Sequence, residues 1–339
     1  MRVFTSTRIA QGTVSDIFSE EAKAFEYPPK DPTGVACIDP LLDGGTAIGE
    51  VYGLLGVSGM GKSIISMQLA IEKARRRKHV ALFHYEMDVR PVVSTRIYAY
   101  LADIPKDVLS RYNRVLDFPT AYLEKLRAAE DEFAREYLHV IDMKNNRAAG
   151  AGGMADVRAQ LRELDMQGKH VEFAVFDQLL PMVKRIMTAG NMKQDTGVQR
   201  MLMQKIVDDA LVMCRPGDMA CSAVVVHQSS SDVKKRPPVV KPKQGESQED
   251  RAFDNWLTYC IALGTQDEER RCWCVTTKAR GAARDGFIVQ LNGRLPRFDY
   301  EPNKFMAERT GFVSRVASTA DFTAPASAAI APEAVTIET

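Results

Sequence analysis

One short segment of the chain carries the residue types that hold a phosphate chain. Residues 56–63 match the pattern G-x-x-x-x-G-K-[ST] at every fixed position. Glycines let backbone N–H groups curl around a β-phosphate, and the start of the following helix adds partial positive charge. The segment therefore predicts ATP binding, with Lys62 on the β- and γ-phosphate oxygens and the Ser63 hydroxyl on Mg²⁺. The residues predicted to bind ATP are Gly56, Ser58, Gly59, Met60, Gly61, Lys62, Ser63 and Ile64.

A carboxylate for the same metal ion stands at the end of a later apolar run. Residues 171–176 are mostly apolar, and Asp177 follows them directly. Open α/β sheets bind ligands along the carboxyl edge of their strands. Asp177 is therefore predicted to coordinate Mg²⁺ together with Ser63. An ordinary aspartate in a turn at the end of a strand is the alternative.

Two further strand ends carry groups suited to ATP hydrolysis. Glu86 ends the apolar run that follows the phosphate segment, and a carboxylate there would face the γ-phosphate and activate water. Gln228 ends another run, and its amide could hydrogen-bond the γ-phosphate and register its loss. Both positions are also typical of solvated strand ends. The adjacent His84 and His227 are typical of packing or surface histidines, with catalysis as the alternative.

The apolar pattern predicts a scaffold in which these strand ends meet. Strands are predicted at residues 51–55, 80–85, 138–141, 173–176, 223–227, 260–263, 272–277 and 287–291. Helices are predicted at residues 62–77, 91–102, 121–136, 154–167 and 199–215. Alternating strands and helices favour an α/β fold with a mainly parallel sheet covered on both faces. The last strands have short connections and are expected to be antiparallel.

The remaining segments suggest how the chain is divided. Residues 184–194 and 229–249 are polar and follow neither the helical nor the strand period, so they are predicted to be loops. A short helix is predicted before Pro28 and Pro29, which forbid its continuation. We expect three parts, listed here by residue number: an N-terminal arm (1–32), one ATPase domain (33–308) and a flexible tail (309–339).

Composition narrows the class of protein. The 339 residues are 45% hydrophobic, enough for one large α/β domain or two small ones. The formal net charge of +1 draws the whole chain neither to nucleic acid nor to a membrane. No apolar run approaches the roughly 20 residues that cross a bilayer, and the N-terminus lacks a secretory core, so a cytoplasmic protein is expected. Six cysteines without C-x-x-C spacing favour buried, reduced thiols over a zinc site or disulfides.

The motifs in this order resemble those of the RecA-like ATPases, most closely the motor domain of DnaB-type hexameric replicative helicases. Residues 83–87, followed by Arg96, resemble the helicase "LEM" element, and residues 176–179 resemble the Walker B strand. Residues 226–228 resemble the segment that carries the sensor glutamine. The resemblance spans about residues 33–298 and implies a RecA-like three-layer α/β/α fold. It also implies that Glu86 is the water-activating glutamate.

A late basic segment resembles the K-x-R-x-G element of these helicases. It comprises residues 278–281, Lys-Ala-Arg-Gly. In the helicases this Lys and Arg reach into the ATP site of the adjacent subunit, so the resemblance implies that role for Lys278 and Arg280. An arginine finger of this kind is worth about 10³–10⁵ in rate. A basic hairpin facing solvent is the alternative.

The resemblance also implies partners. The chain is expected to assemble with copies of itself into a hexameric ring. Its other expected partners are single-stranded DNA and a primase or helicase loader. In RecA-like rings the loop after the sensor glutamine carries the DNA; here its basic residues are Lys234, Lys235, Arg236, Lys241 and Lys243. Residues 184–194 are the second candidate. The loop after Gln228 lacks aromatics, which favours backbone contacts over base stacking; a solvated basic loop is the alternative.

Three departures from the helicase pattern bear on function. Only about thirty residues precede the motor, so no primase-binding domain is expected. Residues 229–231 are Ser-Ser-Ser where Leu-Asn-Arg is usual, and Gly-Ala-Ala follows Arg280 in place of Asn-Gly-Pro. The leading hypothesis is a ring-forming DNA helicase motor of viral or plasmid type. A filament-forming recombinase and a RadA- or KaiC-like regulatory ATPase are the alternatives.

Overall fold

The computed structural model describes most of residues 30–300. Within that span it leaves out residues 87, 90–92, 112–118, 130–134, 146–151, 194, 230–232, 234, 247–252 and 280–285. Lys234, Arg280 and almost all of the predicted arm and tail therefore lie outside the described residues, and the predicted domain boundaries stay predictions.

The described residues form one nine-stranded sheet. Its strands are β1 (Val51–Gly56), β2 (His79–His84), β3 (Leu138–Asp142), β4 (Val171–Asp177), β5 (Ser222–Gln228), β6 (Tyr259–Leu263), β7 (Arg271–Lys278), β8 (Gly286–Asn292) and β9 (Arg297–Asp299). Their order is β3-β2-β4-β5-β1-β6-β7-β8-β9, parallel from β3 to β6 and antiparallel from β6 to β9. The predicted mainly parallel sheet with antiparallel C-terminal strands is confirmed.

Helices cover both faces of the sheet. They are α1 (Lys62–Arg75), α2 (Tyr98–Leu101), α3 (Lys106–Leu109), α4 (Thr120–Ala129), α5 (Arg135–Tyr137), α6 (Met154–Met166), α7 (Leu179–Ala189), α8 (Thr196–Cys214) and α9 (Phe253–Trp256). A 3₁₀ turn lies at Pro40–Leu42 and a π-helical turn at Val93–Ile97. Within the helix predicted over 91–102, residues 93–97 therefore form a π-helical turn that leads into α2. No helix in the described part of the chain is long and apolar enough to cross a membrane.

Side chains of each parallel strand alternate between two apolar cores. In β4, Phe173 and Val175 pack on the α1 side, whereas Ala174 and Phe176 pack on the side of α6, α7 and α8. This alternation follows from the period of two in a strand and explains why both faces of the sheet need helices. The predicted three layers are confirmed. All six cysteines are buried, as expected.

The loop predicted over residues 184–194 is wrong for residues 184–189, which are helical. α7 continues through Lys184 and Arg185 as far as Ala189. The helix forms because four residues at helical spacing give it a buried apolar face: Leu179, Met182, Val183 and Met187. Its exposed face carries the polar residues that concealed this period in the sequence.

A core substitution tests the inner layer behind β4. Phe176 is fully buried and stacks on Phe83 of β2, with ring centroids 5.5 Å apart. Phe176→Ala is expected to lower the free energy of unfolding by about 3–5 kcal/mol, because it removes a buried ring and leaves a cavity. Met201→Ala, at a side chain that is 60% exposed, is the control and should change it by less than about 0.5 kcal/mol. Urea unfolding measures both, and a loss below about 1 kcal/mol for Phe176→Ala would contradict this packing.

Candidate nucleotide-binding site

The phosphate segment forms a tight turn between β1 and α1. Gly59 and Gly61 have φ angles of 86° and 91°, in the left-handed region that disfavours residues with a Cβ. A Cβ on Gly61 would also lie 2.8 Å from the Phe298 ring. Gly59 and Gly61 are therefore required by backbone conformation, and Gly61 also by packing against β9.

Lys62 lies inside this turn as a buried cation. Its side chain is 3% exposed, and its Nζ donates to the carbonyl of Val57 over 3.1 Å. Burial lowers the pKa of Lys62 to about 8, although Asp177 and Glu86 act in the opposite direction. A charged ammonium that is shielded from water is strongly stabilised by a nearby anion, so this turn favours the binding of a phosphate group.

Ser63 and Asp177 meet at the base of the turn. The Ser63 hydroxyl donates to Asp177 Oδ1 over 3.0 Å, and Asp177 is 2% exposed. Asp177 ends β4 in register with His84 of β2, whose Nδ1 lies 3.3 Å from Asp177 Oδ2. A hydroxyl and a carboxylate at this separation are the oxygen ligands that Mg²⁺ prefers. These two residues therefore fit a magnesium ion.

A cavity of about 240 Å³ opens above these residues. It is lined by Ser58, Gly59, Gly61, Lys62, Ser63, Ile64, Glu86, Arg96, Gln178 and Gln228. Glu86 follows β2, and Gln228 ends β5 in register with Gly56 of β1. The structure thus brings the predicted carboxylate and amide together with the phosphate turn, because the parallel strands end at one edge of the sheet.

Arg96 and Gln178 also line the cavity, although sequence reasoning assigned neither to the site. Arg96 lies on the π-helical turn Val93–Ile97. The signal for Arg96 was its place in the segment that resembles the LEM element, and the direction of its side chain depends on that turn. Gln178 directly follows Asp177 and has a φ of 80°, a strained value for a residue other than glycine. Its neighbour Asp177 was the signal in that case.

The two buried histidines occupy different surroundings. His84 is 2% exposed and sits beside Asp177 behind the cavity. His227 is fully buried, and its ring centroid lies 4.9 Å from that of Phe253. Neither is among the described residues that line the cavity, so packing describes both better than catalysis.

The predicted finger is described only in part. Arg280 lies outside the described residues. Lys278 ends β7, and its Nζ donates to the carbonyls of Asn255 and Leu257 over 2.7 and 2.6 Å. Within a single chain the Lys278 ammonium is therefore held at the end of α9.

The basic loop after β5 is anchored on the antiparallel strands. Val239 is buried, and its N–H donates to the carbonyl of Thr265 over 2.9 Å. Three lysines of the loop are exposed: Lys235, Lys241 and Lys243. Arg236 instead pairs with Glu246 over 2.5 Å. The loop is therefore built with apolar anchors inward and lysines outward.

An aromatic ring lies beneath this loop, which the local sequence did not suggest. Lys241 Nζ sits 5.5 Å from the ring centroid of Trp273 in β7. Trp273 also packs against Val239 and Ile288.

The second candidate for DNA binding, residues 184–194, contains an arginine that is already occupied. Arg185 of α7 donates to the carbonyls of Met143 and Lys144. Arg185 therefore serves the fold rather than an open basic loop.

Solved structures of the same shape define the fold. The chain matches a structure described as the ATPase domain of G40P with a TM-score of 0.65 and 15% identity, over 85% of this chain and 98% of that one. This chain has the RecA-like P-loop fold. The RecA-like chain also matches a structure of a DnaB-like replicative helicase and its interactions with primase, again with a TM-score of 0.65 and 15% identity. That match covers 85% of this chain and 66% of the helicase.

Sequence comparison finds a relative among the recombination proteins. The RecA-like chain is 38% identical over 104 residues to the DNA repair and recombination protein RadB of Methanobrevibacter smithii. The match spans 30% of this chain and 41% of RadB. No protein-family model matches the chain.

Proposed function

We propose that this protein is an ATP-dependent DNA helicase motor, which hydrolyses ATP at subunit interfaces and moves along single-stranded DNA during replication. The observation that carries the proposal is the contact between Ser63 and Asp177 at the base of the cavity, with Glu86 and Gln228 on its walls. A phosphate turn, a metal carboxylate, a second carboxylate and an amide are the parts that phosphoryl transfer to water requires.

Each of these side chains has a separate task in hydrolysis. Lys62 neutralises β- and γ-phosphate oxygens, which compensates the cost of its burial. Ser63 and Asp177 would hold Mg²⁺, which spreads the charge that develops on the phosphate oxygens. Glu86 orients and deprotonates the attacking water, and Gln228 hydrogen-bonds the γ-phosphate.

The transition state needs one more positive charge at the γ-phosphate. Arg280 of a neighbouring subunit is the proposed source, so hydrolysis depends on how two subunits sit against each other. Arg96 of the same subunit adds a second cation at the wall of the cavity. We therefore propose a hexameric ring in which each interface holds one ATP.

DNA binding is assigned to the exposed lysines of the loop after β5. Lys235, Lys241 and Lys243 point outward from a loop whose other side is anchored by Val239. Exposed ammonium groups suit the phosphates of a single strand, with an affinity that falls as salt rises. A helicase loader or primase is the proposed protein partner, by likeness to the replicative helicases.

A recombinase or repair ATPase is the second candidate. The 38% identity to RadB over 104 residues favours it specifically. In that case the same ATP site would stabilise a protein assembly on single-stranded DNA rather than drive unwinding.

Native mass measurement separates the two candidates. With a nonhydrolysable ATP analogue and oligo-dT, we expect closed six-membered rings that carry DNA, because a ring-shaped helicase encloses the single strand along which it moves. Open assemblies of variable length would instead favour the recombinase. The variant K235E/K241E/K243E should form the same rings without DNA, and DNA binding by this variant would contradict the assignment of the loop.

A further inference from the structure

The segment that carries Glu86 is held from one side by the turn after β3. β2 and β3 are parallel neighbours, with His84 paired to Asp142 at their carboxyl ends. The backbone N–H of Met143 donates to the carbonyl of His84 over 2.9 Å, which extends the ladder beyond the strands. Glu86 itself is exposed at the cavity. Its position therefore depends on how the residues beside it are held.

Asn145 links this turn to the Glu86 segment. Its Nδ2 donates to Asp88 Oδ1 over 3.0 Å and to Asp142 Oδ2 over 2.8 Å. Its backbone N–H donates to Asp142 Oδ1 over 2.8 Å, so the turn itself orients the Asn145 amide. This amide and then Lys144, whose Nζ lies 3.1 Å from Asp88 Oδ1, hold the pKa of Asp88 below its usual range. Asp88, two residues beyond Glu86, is thereby tied to the turn.

The other side of the same turn is tied to α7. Arg185 donates to the carbonyls of Met143 and Lys144, the latter over 2.9 Å. α7 begins only two residues after Asp177. One series of contacts therefore joins the helix behind the predicted metal ligand to the segment of the predicted water-activating carboxylate. Neither Asn145 nor Arg185 is among the described residues that line the cavity.

We infer that Asn145 is a positioning residue for Glu86: it holds Asp88 against the turn after β3 and so sets the distance from Glu86 to the phosphate chain. The role rests on the proposed function, because it matters only where Glu86 orients the attacking water. A displacement of about 1 Å at a reacting group can cost about 100-fold in rate. Loss of Asn145 is therefore expected to slow hydrolysis without weakening nucleotide binding.

The isosteric variant N145D tests this role. It keeps the shape of the side chain but places a third carboxylate beside Asp88 and Asp142. With the full chain, Mg²⁺ and ATP, kcat should fall at least about 10-fold, while KM and the affinity for a nonhydrolysable analogue stay within about 2-fold. D88N/N145D restores a donor and an acceptor between positions 88 and 145 but leaves a carboxylate at position 145 opposite Asp142, so it should recover part of the lost kcat. The matched control is D209N, which removes the exposed Lys205–Asp209 pair of α8 and should leave kcat unchanged.

A double-variant cycle with E86Q separates positioning from general damage. If Asn145 acts through Glu86, N145D slows single-turnover hydrolysis in the wild-type background and has no further effect beside E86Q. An equal loss in both backgrounds, or wild-type kcat in N145D, would overturn the inference while leaving the proposed function intact. Undiminished turnover by E86Q would instead remove the proposed role of Glu86, and the positioning role with it.

Thermal unfolding of each variant shows whether a loss reflects misfolding. Should N145D fail to fold, N145S takes its place in the same cycle, since it lacks the amide donor but adds no charge. A folded N145S with wild-type kcat would overturn the inference. A folded N145S with lowered kcat, unchanged KM and no further effect beside E86Q would support it.

Discussion

Replacing Lys62 by alanine is expected to abolish ATP turnover, with a loss of at least about 1,000-fold in rate. Lys62 is the buried cation of the phosphate turn, and no other lysine lines the cavity among the described residues. Without it the phosphate oxygens lose a charge-assisted contact in a site with little water, where such contacts are strongest. A phosphate-release assay with and without single-stranded DNA measures the loss. Lys205→Ala, at an exposed lysine of α8, is the control and should keep full turnover.

The stability of the same variant should depend on pH differently from that of the wild type. Burial lowers the pKa of Lys62 from 10.5 to about 8 in the folded protein, so the nucleotide-free fold carries a charge that it disfavours. Between those two values the unfolded chain binds more protons, and wild-type stability therefore rises with pH relative to Lys62→Ala. Below about pH 8 the difference between the two free energies of unfolding stays constant. Urea unfolding of both proteins across this range measures it.

A folded Lys62→Ala protein that still turns over ATP would remove the central assignment of the site. If Lys62→Ala unfolds at a lower urea concentration than the wild type, the loss of turnover could reflect misfolding. In that case turnover is measured in Lys62→Gln, which keeps a polar side chain without the charge. Retained turnover in Lys62→Gln with a wild-type midpoint would have the same consequence for the assignment.

Subunits that carry Glu86→Ala and subunits that carry Arg280→Ala are each expected to be inactive alone and to regain activity when mixed. Glu86 lies at the cavity of its own chain, whereas Arg280 is proposed to serve the cavity of the next subunit. In mixed rings some interfaces combine an intact glutamate from one subunit with an intact arginine from the other. At equal amounts about a quarter of the interfaces should be complete if subunits assemble at random around a closed ring.

The measurement is ATP turnover across a series of mixing ratios, with co-assembly verified by native mass. Activity should peak at equal amounts and vanish at either end. No recovery at any ratio, in rings shown to contain both variants, would argue that Arg280 does not act across the interface. Mixing Glu86→Ala with Lys62→Ala subunits is the control, because both changes then lie in the cavity of their own chain. Such mixtures keep a neighbour's arginine throughout and should stay inactive at every ratio.

The chemistry-bearing strand ends could be predicted because their signals are local. The glycines and lysine of residues 56–63 are consecutive, and each apolar run that ends in Asp177, Glu86 or Gln228 is short and continuous. A parallel sheet then brings such ends to one edge whatever its strand order is. This is why the cavity contains these residues although they are far apart in the chain.

Other features depend on contacts between segments that no local pattern reveals. The end of α7 was instead missed for a local reason: three of the four residues of its buried apolar face precede residue 184, so residues 184–189 look polar when taken alone. Arg185 of this helix donates to backbone carbonyls in a turn more than forty residues away. Trp273 lies on a later strand, β7, and its ring packs beneath Lys241 of the basic loop.

The amino-acid sequence alone predicts the phosphate turn, the α/β class and the strand ends, because each depends on neighbouring residues within one strand or one turn. The folded chain added Arg96 and Gln178 to the cavity and joined Asn145 to the Glu86 segment. These depend on the register of β2 against β3 and β4 and on a π-helical turn, which are set by the packing of whole elements. The type of a side chain limits the chemistry that it can perform, but the residues that it contacts depend on which helices and strands pack against it.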